Sequence, residues 1–341
     1  MPRFDGVDPS RTGGRTTVVQ TVKGEVGVAD LGPVLMHEHV FTIGTEIRDN
    51  FPNYPDPWDE EERVADAVAK LTEVASRGVR TIVDPTVIGL GRYIPRIQRI
   101  NQQADINIVV ATGIYTYHDE PVQFHFTGPG KVFDFGVDPM TELFIGDIRD
   151  GIADTGVRAG LLKCAIDEAG LTPGVERVMR AVAQAHLETG TPITVHTHVG
   201  NESGLAAAGV FAAEGCDMSK VVLGHSGDTG DLDYLKRLAD TGAILGMDRF
   251  GIDAFSPFEQ RVQMVAAMVD AGFVSQLVLS HDASCYSDFY PAAARAAALP
   301  NWHYTHIHDD VLPALRERGV SDEQITTMLV DNPRTYFTAA E

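Results

Sequence analysis

Eight apolar runs of four to eight residues punctuate the chain: VLMH (34–37), RTIVDP (80–85), INIVVATG (106–113), AGLLKCA (159–165), PITVHTH (192–198), KVVLGH (220–225), GAILGMD (242–248) and QLVLSHD (276–282). They are nearly continuous in hydrophobicity rather than alternating, which is the pattern of parallel strands covered on both faces. Between them the apolar positions return with a helical period. EEERVADAVAKLTEVASRG is ended by Gly78, and TPGVERVMRAVAQAHLETG opens with Thr172 as a cap and Pro173 in its first turn. Strand–helix alternation of this kind predicts a parallel sheet. Eight units can make an open doubly wound sheet or a closed barrel. No GxGxxG follows the first strand, so the dinucleotide-binding form of the open sheet lacks its phosphate loop.

The expected fold is therefore α/β, a single (β/α)8 TIM barrel with a C-terminal helix. SDEQITTMLVDNPRTYF reads as that helix, capped at its start and stopped by Asn332-Pro333. No fixed-period repeat, low-complexity tract or linker interrupts the pattern, so residues 18–341 are expected to form one domain. Residues 1–17 are polar and have no apolar centre; they read as a mobile leader, not a secretory signal.

Residues capable of chemistry fall at the ends of the runs. His37 and His39 end the first, Lys163 the fourth, His196 the fifth, His225 the sixth and Asp282 the eighth. In a barrel all C-terminal strand ends meet at one mouth, where active sites are built. His37 and His39 are two apart and point the same way, while Glu38 between them points away. Four histidines and a carboxylate offer nitrogen and oxygen donors suited to Zn²⁺, or to Co²⁺, Fe²⁺ or Mn²⁺. One ion would leave donors over; two ions about 3.5–4 Å apart would use them all. Lys163 does not fit as a cation, because an unpaired ammonium at the end of an apolar strand is costly. Its neutral amine can react with CO₂ to give a carbamate, an anionic bridging ligand.

Each feature alone has an ordinary explanation. An HxH on a strand is more often structural, a strand lysine snorkels, and a strand-end aspartate caps the next helix. Six such residues at C-terminal strand ends, in barrel order, are hard to reconcile with coincidence. Other candidates are weaker. Trp302 to His308 (WHYTHIH) reads as a packed loop entering the eighth helix, and His118 and His125 carry no pattern. His198, two after His196, suits a supporting or substrate-facing place. No Gly-X-Ser-X-Gly occurs, so a serine hydrolase is not indicated.

Composition narrows the partners. With 48 acidic and 27 basic residues the net charge is −21, which repels phosphate backbones and argues against nucleic acid. No apolar run approaches the roughly 20 residues of a membrane span. The three cysteines are odd in number and form no CxxC, so neither a disulfide framework nor a cysteine zinc site is suggested, and a reducing cytoplasm fits.

LMHEHVF, AGLLKCA, PITVHTH, VVLGHSGDTGDLDYL and VLSHD together resemble the phosphotriesterase family of the amidohydrolase superfamily, from about Val18 to Phe337. The resemblance implies that His37, His39 and Asp282 hold a buried metal and His196 and His225 a more exposed one. Carbamylated Lys163 and a hydroxide would bridge the two. It also implies a homodimer. Within the family the chain is more similar to the phosphotriesterase-like lactonases. ATGIYTY places Tyr115 where they carry a tyrosine beside the metals. GMDRFG places Arg249 where organophosphate hydrolases carry a histidine, and the stretch from Asp248 to about Pro257 is shorter than theirs. NWHYTHIHDDVLPAL also resembles the lactonase pattern. The alanine-rich loop over 283–300 would line the leaving-group side.

The implied activity is attack by the bridging hydroxide on the carbonyl of a lactone, either an N-acyl-homoserine lactone or a simpler γ- or δ-lactone. Asp282 would serve as base then acid and Tyr115 would steady the oxyanion, with Asp228 and Arg249 supporting Asp282 or the mouth loops. Organophosphate triesters would turn over slowly. The rival readings are a dedicated phosphotriesterase and a metal-bound barrel without catalysis.

Overall fold

All eight apolar runs become strands in the computed structural model, which describes residues 18–338. The leader expected over 1–17 lies outside the described residues. A hairpin of β1 (Val18–Thr21) and β2 (Gly24–Gly27) precedes the first run. The runs themselves give β3 (Val34–Leu35), continued past a break by β4 (His39–Thr42), then β5 (Thr81–Asp84), β6 (Asn107–Gly113), β7 (Leu161–Ala165), β8 (Ile193–His196), β9 (Val221–Gly224), β10 (Ile244–Met247) and β11 (Leu277–Leu279). β12 (Ser284–Ser287) follows directly.

The sheet runs β3-β5-β6-β7-β8-β9-β10-β11, parallel throughout. The two edges meet at the C-terminal rim. Asp282 N–H donates to the His37 carbonyl (3.0 Å), His39 N–H donates to the Ala283 carbonyl (2.8 Å), and β4 continues in parallel with β12. The result is the expected TIM barrel. Two faces of each strand are covered, which is why the runs are apolar without alternation. Val83, Val109, Ala111, Leu161, Val222 and Val278 fill the barrel's inside, and the helices pack on the outside.

Register carries that inner column up to the mouth. Ala111 pairs with Leu161 and Gly113 with Lys163, so Lys163 lies one layer above Leu161 on the same inward face. His196 stands likewise above Thr194, and Gly224 above Val222.

The helices follow their local signals. Asp59 caps Glu60–Ser76 by accepting from the Glu61 and Glu62 amides. Thr172 caps Pro173–Thr189, which Gly190 ends in the left-handed region. One expectation fails at the C-terminus. Ser321 and Gln324 form the capping box, but the helix does not stop at Asn332-Pro333: it passes through a π-turn (Thr327–Asp331) into Asn332–Phe337. Wider i→i+5 turns ahead of the proline relieve the clash that its ring makes with a carbonyl in a regular helix. Among the described residues no helix is long and apolar enough to cross a membrane.

Candidate metal centre and active site

The six side chains read as metal-binding line one cavity of about 480 Å³ at the barrel mouth. His37, His225 and Asp282 each offer a donor atom, all within 4.8 Å of one another. Asp282 Oδ1 lies 3.4 Å from His37 Nε2 and 3.2 Å from His39 Nε2. His225 Nε2 is 2.9 Å from His196 Nδ1. Two of the six, His225 (φ 64°) and Asp282 (φ 54°), hold left-handed backbone conformations. Such strain in a non-glycine residue persists only where the surroundings enforce it, and it collects at functional sites.

The outer ring nitrogens are already occupied. His37 Nδ1 and His225 Nδ1 each bond to Asp248, at 3.0 and 2.9 Å. His39 Nδ1 bonds to Thr86 Oγ1 at 2.7 Å, and Thr86 is in turn tied to Asp84. His196 Nε2 bonds to Asp167. This leaves the other nitrogen of each ring to face the centre, as in metal sites where a carboxylate orients the ligand histidine. Burial holds His37 and His225 below the usual histidine range and His196 down at about 4, so these rings present lone pairs, not protons. His39 differs: burial pulls it down, but Asp282 and Asp84 outweigh this and raise it to about 9. For Asp282 burial pushes up, yet His37, His39, His225 and Arg249 keep it well below the carboxylate range. The donor chemistry and its orientation fit a transition-metal pair.

Lys163 is 1% exposed. Burial draws its amine from 10.5 down to about 8, against the upward pull of Asp282 and Asp248. An amine of lowered basicity is unprotonated more often than that of an ordinary lysine.

Asp248 was not singled out in the sequence, and it is central. It is 1% exposed and joins His37 to His225 through its two oxygens. Two glycines make room for it: a Cβ at Gly246 would stand 2.4 Å from Asp248 Oδ2, and one at Gly224 3.3 Å from the same atom. The available signal was a carboxylate ending the seventh run in GAILGMD, two residues after a glycine.

Arg249 sits behind Asp282. Its Nε donates to Asp282 Oδ2 (3.0 Å) and its Nη1 to Asp228 Oδ2 (2.9 Å), while Arg261 pairs with the other Asp228 oxygen (2.7 Å). Neither Arg249 nor Asp228 lines the cavity wall; Arg249 touches Asp282, and Asp228 touches Arg249.

Tyr115 does reach the cavity. Its Oη is 3.3 Å from His196 Nδ1 and also meets the Tyr117 hydroxyl. Burial and Tyr117 push Tyr115 well above 10, so it stays a hydroxyl donor. Tyr117 was overlooked because a tyrosine two residues on carries no pattern of its own.

His198, expected beside the site or facing substrate, is not in the cavity wall. The strand ends at His196, the chain turns at once into Val199–Asn201, and His198 Nε2 lies 3.8 Å from Glu168 instead. The stretch after Trp302 is packed as expected: Ile307 N–H donates to His281 Nε2, and Tyr304 bonds to the His39 carbonyl. Trp302 itself lines the cavity with Phe289 and Tyr290, which come from the alanine-rich loop. A second cavity, about 550 Å³, lies across β12 and contains none of the six.

A parallel eight-stranded barrel with a buried histidine–aspartate cluster at its mouth is the architecture of metal-dependent hydrolases. Comparison with known proteins gives the family. The Phosphotriesterase family profile matches residues 17–337. The chain is 58% identical over 320 residues to the Phosphotriesterase homology protein of Mycobacterium tuberculosis, covering 94% of this chain and 97% of that one. It is 36% identical over 317 residues to the Aryldialkylphosphatase of Saccharolobus solfataricus, covering 92% and 98%. A solved structure of the phosphotriesterase from Mycobacterium tuberculosis superposes with a TM-score of 0.91 at 56% identity, over 95% of this chain and 100% of that one. The chain belongs to the phosphotriesterase family, a family of binuclear metal-dependent hydrolases, and is an enzyme acting on ester bonds.

Proposed function

We propose that the chain is a lactonase that hydrolyses N-acyl-homoserine or γ- and δ-lactones, with a weak side activity on organophosphate triesters. The six rim residues would hold two divalent cations, Zn²⁺ or Co²⁺, Fe²⁺ or Mn²⁺, with Lys163, as its carbamate, supplying an anionic ligand. His37, His39 and Asp282 would serve one ion and His196 and His225 the other. Bound there, the cations supply Lewis acidity, which activates water and polarises a carbonyl oxygen. The protein's own groups do the rest. Asp282 takes a proton from the attacking water and returns it to the leaving alkoxide. Arg249, held by Asp228, fixes the direction of the Asp282 carboxylate. Tyr115 donates its hydroxyl hydrogen to the oxyanion that forms. Leu90, Phe289, Tyr290 and Trp302 give the cavity an apolar wall suited to an acyl chain. The enzyme is a cytoplasmic homodimer that meets small lactones, not nucleic acid or membrane.

The observation that carries the lactonase reading is Tyr115, a neutral, half-buried hydroxyl 3.3 Å from His196 in the same cavity. A trigonal carbonyl gains from one donor at its oxygen. A phosphotriester is already tetrahedral and needs room for three substituents. With equal metal loading, lactones are expected to exceed paraoxon in kcat/KM by several orders of magnitude. Tyr115→Phe should lower lactone turnover by about 10²-fold, the usual cost of one oxyanion donor, and leave paraoxon turnover little changed. Side-by-side kinetics decide the matter: paraoxon as the better substrate overturns the lactonase assignment and favours a dedicated phosphotriesterase, the reading supported by the aryldialkylphosphatase at 36% identity.

The metal pair has its own test. Protein purified without chelators should contain about two transition-metal ions per chain by elemental analysis. His37→Ala should reduce that number. A content near zero, or one unmoved by the substitution, refutes the pair.

A further inference from the structure

Glu38 stands between His37 and His39 but faces away from the cavity, and it is 0% exposed. A carboxylate buried so completely needs donors around it. Four are present: Ser280 Oγ at 2.8 Å, the His281 amide at 2.9 Å, the Ala283 amide at 3.0 Å, and His281 Nδ1. The His281 tautomer follows from its other nitrogen, which accepts from Ile307 N–H, so Nδ1 carries the proton. Ser280 Oγ also accepts from the His37 amide at 2.9 Å. All four donors belong to residues flanking Asp282, at 280, 281 and 283, and Asp282 is held at φ 54° between them.

We propose that Glu38 is a positioning residue, clamping the segment 280–283 to the break between β3 and β4 and so setting Asp282 against His37 and His39. Closing the barrel does not require it. The backbone bonds from Asp282 to His37 and from His39 to Ala283 already join the edges. Where only stability is needed, apolar residues commonly do as well as a buried charged group. What the clamp adds is geometry: one side chain in the break between β3 and β4, set between the two histidines, grips both sides of the aspartate that must meet them. This inference rests on the reading that His37, His39 and Asp282 share a metal ion.

The test is Co²⁺ titration of chelator-treated protein, followed by visible absorption and elemental analysis, with thermal melting and kinetics alongside. Wild type should take up two equivalents. Glu38→Gln keeps the shape but puts an NH₂ group among donors. It should weaken one equivalent by about 10- to 100-fold and the other by less than about threefold, and lower kcat more than it raises KM. Ser280→Ala removes one of the four donors and should act in the same direction, less strongly. Asn332→Ala is the control. It deletes a buried bond to the Val274 and Leu277 carbonyls far from the mouth, and should lower the melting temperature without separating the two equivalents. Wild-type-like cobalt binding by Glu38→Gln overturns the proposal. So does equal weakening of both equivalents in step with lost thermal stability. If Glu38→Gln does not fold, Ser280→Ala decides by the same criterion. A wild type that binds no cobalt overturns the metal reading beneath it.

Discussion

Lys163→Ala is expected to purify folded, with its metal content sharply reduced and its lactone turnover down by at least about 10³-fold, more than the 10- to 100-fold typical of losing a group that merely orients a ligand. Lys163 is 1% exposed at the top of the barrel's inner column, and burial draws its amine to about 8. A protonated lysine there would face His37, His196 and His225, whose rings are kept neutral. A carbamate changes its sign from cation to anion and completes the donor set. Short carboxylic acids added with metal should restore part of the activity to Lys163→Ala by filling the same space. Intact-mass measurement of active wild-type protein should show the mass of one added CO₂. An unmodified lysine in fully active protein would sink the carbamate.

Asp282→Asn is expected to keep most of its metal and lose about 10²-fold or more in lactone kcat, the usual share of a positioned acid–base group. Asparagine can still offer an oxygen toward His37 and His39, where Oδ1 now lies at 3.4 and 3.2 Å. It cannot carry a proton from water to the leaving alkoxide. Arg249, which donates to the other oxygen at 3.0 Å, would meet an amide in place of a carboxylate and lose its ion pair. Elemental analysis separates the two roles, since lost metal would mark a ligand effect and lost turnover at full metal a proton effect. Near-normal kcat in metal-loaded Asp282→Asn would end the proton-carrying role.

Relatives of this chain carry names that speak of phosphotriesters. The cavity's wall has two sources. The histidine–aspartate cluster comes from strand ends, which the barrel holds rigidly. Tyr115, Phe289, Tyr290 and Trp302 come from loops, which can change without disturbing the barrel.

Much of this was legible before any coordinates. Parallel strands buried on both faces write continuous apolar runs, so eight runs meant eight strands, and the barrel's geometry meant that their ends converge. His37, His39, Lys163, His196, His225 and Asp282 could be named because each stands at such an end; the left-handed turns at His225 and Asp282 that aim them into the mouth could not. These are local properties: period, capping and position within a run depend on neighbours in the chain. What only the tertiary structure decided depends on register between distant segments. Asp248 reaches His37 across 211 positions of sequence, through space that Gly224 and Gly246 leave open. Glu38 closes on Ser280 and Ala283, more than 240 positions away. The C-terminal helix runs through Pro333 because a π-turn ahead of it relieves the proline, and no propensity within the segment announces that. A one-residue slip in any strand would leave each local pattern intact and turn its side chains to the other face; the pairing that prevents it is a property of the closed barrel.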